Sequence, residues 1–153
     1  MSNPVVKKVE VSCTAETAFD VFVNQISSWW PLDTHAASVG HGAAALHVEI
    51  DPKVGGKIIE TMHDGATDHW GDVLVFDPPA RFAMSWHPGN NKDAQTHVDV
   101  QFEATNAGTC LVTLTHTGWE AWAEKSNEVR GGYDSGWDTV LGQCFARRAN
   151  NAA

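Results

Sequence analysis

Apolar residues alternate with polar ones through the middle of the chain and recur at helical spacing near both ends. Val5 to Cys13 alternates loosely among β-branched residues and predicts a first strand, with Thr14 as the N-cap of a helix. Ala15, Phe19, Phe22 and Ile26 then share one helical face, and Trp29-Trp30-Pro31 ends that short helical run. Leu32 to Ala44, rich in Gly, His, Ser and Ala, has no period, and connections of that length in a compact domain are often functional. From Ala45 to His116 the pattern predicts six antiparallel strands. Their turns fall at Asp51-Pro52, His63-Asp64-Gly65, Asp77-Pro78-Pro79, Pro88-Gly89-Asn90-Asn91 and Asn106-Ala107-Gly108. Val98, Val100 and Phe102 point one way, Val112, Leu114 and His116 share a face, and so do Phe82, Met84 and Trp86. Between His69 and Phe76 both faces are apolar, and the register stays open.

The chain closes on a helical stripe of Trp137, Val140, Leu141, Cys144 and Phe145, which must lie on the sheet. Gly131, Gly132 and Gly136 weaken the helix just before it, which predicts a kink between a short segment near Trp119 to Glu128 and the terminal helix. With no internal repeat and no linker, the 153 residues are expected to form one domain spanning residues 1–153.

The formal net charge of −9, with basic residues scattered, disfavours nucleic acid and anionic membrane as partners. Cys13, Cys110 and Cys144 lie far apart without CxxC spacing and read as free thiols of a reducing compartment. No stretch approaches the length of a spanning helix and the N-terminus has no secretory h-region, so a cytoplasmic protein is expected. Eight histidines invite a metal, but none forms HxxxH, HExxH or HxH; no metal and no cofactor are expected. GxSxG is absent, and the paired glycines lack the strand-to-helix setting of a phosphate loop.

The densest stretch runs from Lys53 to Trp86: KVGGKIIE, HWGDVLVF, DPPARFAMSW. Together with WWP, EIDPKVGG, WGDV, a strand ending THTGW, and GWDTVL, it resembles the START/Bet v 1-like (SRPBCC) superfamily. The similarity is to the branch named after the C-terminal domain of the activator of Hsp90 ATPase, and these motifs run in order through nearly the whole chain. The resemblance implies an α+β helix-grip fold: a curved antiparallel sheet around a long C-terminal helix, two short helices after the first strand, and an apolar cavity between sheet and helix. Its relatives include carriers, receptors, cyclases and oxygenase subunits, often monomers or dimers, so a homodimer is compatible and fold does not decide function.

Glu60 shares the inward face of Ile58, which makes it a candidate acceptor or general base toward a ligand, or else a paired or solvated carboxylate. His116 is a candidate proton donor opposite it, or a corner-holding histidine; Asp72 is a further inward acid if the register allows. The expected cavity walls are Trp29, Ile58, Trp70, Phe82, Met84, Trp86, Val100, Val112, Leu114, Trp137 and Leu141, any of which is equally at home in a core. Three readings stay open: a ligand-binding domain for a hydrophobic or aromatic small molecule, an acid–base enzyme on the same pocket, and a partner-binding module. The last includes an Hsp90-activator role, which the resemblance weakens. The eukaryotic activator makes most of its chaperone contact through a separate N-terminal domain, and nothing in these residues resembles it.

Overall fold

The computed structural model describes residues 3–90 and 92–152. Asn91 of the expected fourth turn therefore lies outside the described residues. Seven strands, β1 (Val5–Val11), β2 (His47–Ile50), β3 (Lys57–Thr61), β4 (Thr67–Asp77), β5 (Arg81–Trp86), β6 (Thr96–Asn106) and β7 (Thr109–Thr117), form one antiparallel sheet in the order β1-β7-β6-β5-β4-β3-β2. It is a meander closed at one edge by the N-terminal strand. Curled into a half-barrel, it grips a C-terminal helical arm, the α+β helix-grip architecture that the motifs imply.

Helix α1 (Ala15–Asn24) starts where the sequence places it, with Thr14 Oγ1 accepting the Thr17 N–H at 3.2 Å. Its buried face carries Phe19 and Phe22 into the concave side of the sheet, and α2 (Ile26–Trp29) comes directly after it. Phe22 meets Trp29, Phe82, Phe102 and Phe145 at ring separations of 5.2, 6.1, 5.9 and 5.4 Å. These edge-to-face and tilted contacts close the core under the middle of the sheet.

Strand β4 explains its own unreadable register. Opposite β3, Gly71 pairs with Ile58 and His69 with Ile59, so Trp70 is an extra residue; opposite β5, Val73 pairs with Met84 and Val75 with Ala83, so Leu74 is another. Each bulge reverses the parity of inward positions. Trp70 and Val73, an odd number of residues apart, are both buried, and Phe76 reaches Phe19 at 5.6 Å. The same distortion turns Asp72 outward. Its carboxylate accepts from His69 Nε2 at 3.1 Å and lies 3.6 Å from Lys57 Nζ, which corrects the expectation of an inward acid.

The C-terminal arm breaks earlier than expected and for another reason. The 3-10 turn Trp119–Lys125 contains Ala123 in a non-helical conformation (φ 51°, ψ −122°), and α3 (Ser126–Thr139) begins after it. Gly131, Gly132 and Gly136 all lie inside α3. A π turn, Val140–Phe145, then leads into α4 (Ala146–Asn150). The stripe is buried at Trp137, Val140, Leu141 and Phe145, while Cys144, rotated by the wider turn, is half-buried. All three cysteines are free thiols, and burial pushes the Cys110 thiol up to about 11. No helix among the described residues is long and apolar enough to cross a membrane.

Candidate functional site

The concave face of the sheet is filled where a cavity was expected. Phe82, Met84, Val100, Val112, Leu114 and Ile58 have no exposed surface, and Leu141 almost none. The cavity lies instead toward one end, about 440 Å³, between α3, the end of β5 and the segment after α2. Trp30, Trp86, Trp137 and Tyr133 give it aromatic walls; His35, Ala36, Ala37 and Pro88 form one lip, and Glu128, Val129, Gly132, Gly136 and Val140 the other side. Of the residues singled out from sequence, Trp86 and Trp137 line it. Trp29, Ile58, Phe82, Met84, Val100, Val112, Leu114 and Leu141 belong to the packed core.

Two features of α3 build this space. Along α3, Gly132 and Gly136 lie one turn apart, and a methyl group built on either would meet nothing within 4 Å. Beside them, also one turn apart, Tyr133 and Trp137 project aromatic rings. Bare backbone next to a ring stripe leaves open space along this face of the helix. A signal was present in GGYDSGW, but glycines in a helix read first as weak points.

The lip is held by carboxylates. Glu60 is fully buried, its Oε1 accepting from the Ala37 amide at 2.8 Å and the Trp70 indole at 2.9 Å, its Oε2 from the Ser38 amide at 2.8 Å. Both oxygens are thus engaged by fixed donors, and Glu60 sits behind the lip rather than in the cavity wall. Asp68, its cross-strand partner on β4, accepts the Gly89 amide at 2.8 Å. Burial pushes the Asp68 carboxyl up, the Gly89 N–H draws it down, and the Glu60 charge pushes it up again. The two acids tie down the two loops that make up this lip. Trp30 Nε1, donating to His35 O at 2.7 Å, adds a third tie.

His116 is not brought opposite Glu60. An indole N–H only donates, so the 3.0 Å contact from Trp137 Nε1 makes His116 Nδ1 an acceptor and leaves the proton on Nε2. That proton goes to Thr96 Oγ1 at 2.7 Å, whose hydroxyl donates in turn to Trp86 O at 3.2 Å. With both nitrogens committed, His116 fixes the angle of Trp137, as a strut rather than an acid. Burial, with a smaller push from His97, lowers its pKa from 6.5 to about 3. The folded chain therefore binds one proton fewer than the unfolded chain between these values. Its stability is complete above pH 6.5 and falls below it at roughly 1.4 kcal/mol per pH unit. Urea titrations at pH 7 and pH 5 should show a loss of about 2 kcal/mol from this residue, and His116→Gln should flatten the dependence by that amount. An unchanged slope in the variant would refute the neutral strut.

No group of three or more His, Cys, Asp or Glu side chains among the described residues is arranged to hold a metal ion. The family model for activator of Hsp90 ATPase homolog 1-like protein matches residues 12–146. The chain belongs to this family. It is also similar to the anthrahydroquino-gamma-pyrone synthase Txn09, with 27% identity, a TM-score of 0.65, and 97% of this chain and 96% of that one covered. The self-sacrificing resistance protein CalC of Micromonospora echinospora is 24% identical, with a TM-score of 0.68 over 97% of this chain and 94% of that one. Protein CV1439 of Chromobacterium violaceum is 15% identical, with a TM-score of 0.68 over 97% and 99%. No curated protein matches the chain at significance. Family membership and these START/Bet v 1-like neighbours support a ligand-binding domain.

Proposed function

We propose that this member of the activator of Hsp90 ATPase homolog 1-like family binds a flat, apolar or aromatic small molecule in the cavity beside α3. The observation that carries the reading is the pairing of ring walls with bare helix. Trp30, Trp86, Trp137 and Tyr133 surround a cavity of about 440 Å³ at whose helical wall two positions lack side chains. Helix-interior glycine costs roughly 0.5–1 kcal/mol relative to alanine, and nothing packed nearby at Gly132 or Gly136 requires it. A binding space explains a sacrifice that packing does not. The likeness to a protein named as a pyrone synthase agrees with a cavity used for small molecules.

The carboxylate at Glu60 acts, on this reading, by holding the lip in place, and His116 by setting Trp137; neither touches the ligand. Stability and binding should therefore move in opposite directions at Gly136. Gly136→Ala is expected to raise the urea unfolding free energy by about 0.5–1 kcal/mol. Gly136→Leu should weaken by tenfold or more the saturable tryptophan quenching produced by a panel of polycyclic aromatic compounds. Full affinity in Gly136→Leu would sink the proposal.

A further inference from the structure

Six tryptophans of the chain are buried, and five of them place the indole N–H on an acceptor: Trp29 on Val21 O, Trp30 on His35 O, Trp70 on Glu60, Trp119 on His116 O and Trp137 on His116 Nδ1. The sixth is Trp86. Its side chain is 2% exposed and lines the cavity, yet its N–H has no hydrogen-bond partner among the described residues. A buried donor left unpaired is costly, and a fold that satisfies the other five has left this one at the wall of its binding space.

Tyr133 lines the same cavity, and its hydroxyl faces the Trp86 N–H closely enough to be steadied by it, while the contact stays outside full hydrogen-bond geometry. Burial pushes the Tyr133 phenol up and the Trp86 N–H draws it back; the net rise keeps its proton in place at neutral pH. Two donors thus stand on the aromatic wall, one from β5 and one from α3.

Resting on the cavity reading, we infer that Trp86 Nε1 and Tyr133 Oη together receive one acceptor oxygen carried on the edge of the ligand's ring system, a neutral ketone or quinone-type carbonyl. An indole N–H cannot accept, so a ligand presenting only a donor there would leave the Trp86 N–H unpaired, whereas an acceptor oxygen satisfies it and can take the Tyr133 proton as well. A carboxylate or phosphate fits less well, because Glu128 borders the cavity and the chain carries a net charge of −9. The pair would make the site select among flat aromatics by their oxygen substitution, where hydrophobic walls alone discriminate weakly.

The test uses two flat tricyclic probes that differ in one group, fluorenone and fluorene, titrated by tryptophan quenching. Wild type is expected to bind fluorenone about tenfold more tightly than fluorene, and its complex should show a red-shifted fluorenone carbonyl stretch. Tyr133→Phe, which removes only the hydroxyl, should cut that ratio to about threefold and move the stretch back toward its free position. Trp86→Phe should have the same effect on both readouts through the other donor. Equal affinity for the two probes, or a ratio and stretch that ignore both substitutions, would overturn the two-donor site while leaving the cavity reading intact. Binding of neither probe would overturn the cavity reading and the site with it.

Discussion

Replacing Glu60 with glutamine is expected to destabilise the protein by about 3 kcal/mol or more, although the change alters one atom. Three N–H groups converge on the carboxylate: two backbone amides at Ala37 and Ser38 and the Trp70 indole. A glutamine amide has one oxygen and one NH2 group, so in either orientation it turns a donor toward at least one of these donors. A buried unpaired donor costs about 1–3 kcal/mol, and the remaining hydrogen bonds lose the strength that a charged acceptor gives them. The damage should be local at first. Hydrogen exchange at Ala37 and Ser38 should accelerate before the sheet opens, and ligand quenching should weaken because Ala37 is part of the lip. Urea unfolding within 1 kcal/mol of wild type would show that Glu60 is not the anchor.

Gly71→Ala should be similarly severe, for steric reasons. A methyl group built at this position falls 1.8 Å from the Ser85 carbonyl oxygen and 2.6 Å from its carbonyl carbon, in the backbone of the neighbouring strand. No rotamer change relieves a clash with backbone. Strands β4 and β5 would have to separate, straining the bond from the Asp72 amide to Ser85 Oγ at 2.9 Å and that from the His87 amide to Trp70 O at 2.6 Å. A loss of about 3 kcal/mol or more is expected, the upper end for overpacking. Gly131→Ala is the control: the same substitution into open space within α3 should stabilise by roughly 0.5–1 kcal/mol. Wild-type urea stability in Gly71→Ala would contradict the close approach.

Both residues show where sequence reasoning reaches and stops. That Glu60 shares a face with Ile58 comes from simple alternation, and both are buried. Its partners could not be read, because Ala37 and Ser38 lie in a segment without period and contribute backbone amides that any sequence possesses. The WG pair was visible as a distinctive motif, but not that its glycine lies against Ser85 or that Trp70 is an inserted residue. A bulge conserves composition while reversing parity, so alternation becomes silent there. The succession of seven strands, the N-cap at Thr14 and the stripe on the terminal arm were legible because each rests on local periodicity or turn chemistry, whereas the pairing of β1 with β7 rests on neither. The cavity was not. Its position depends on how far Phe19, Phe22 and Phe145 fill the concave face, a volume that no pattern of apolar letters contains.

The cavity mouth is held unequally on its two sides. The lip that includes Ala37 and Pro88 hangs from buried or half-buried carboxylates through backbone amides. Facing it, α3 is tied to the N-terminal strand by Lys7 to Asp134 and Asp138, and by Arg130 to the carbonyls of Asn3 and Pro4. Both aspartates face solvent, and ion pairs of that kind are weak and weaken further as salt rises. The solvent-facing side of α3 is therefore the more loosely tied side of the mouth, while Trp137 keeps its inner face on His116. On the proposed reading, exchange of an uncharged guest is expected to vary with ionic strength, a dependence that the guest's own chemistry would never supply.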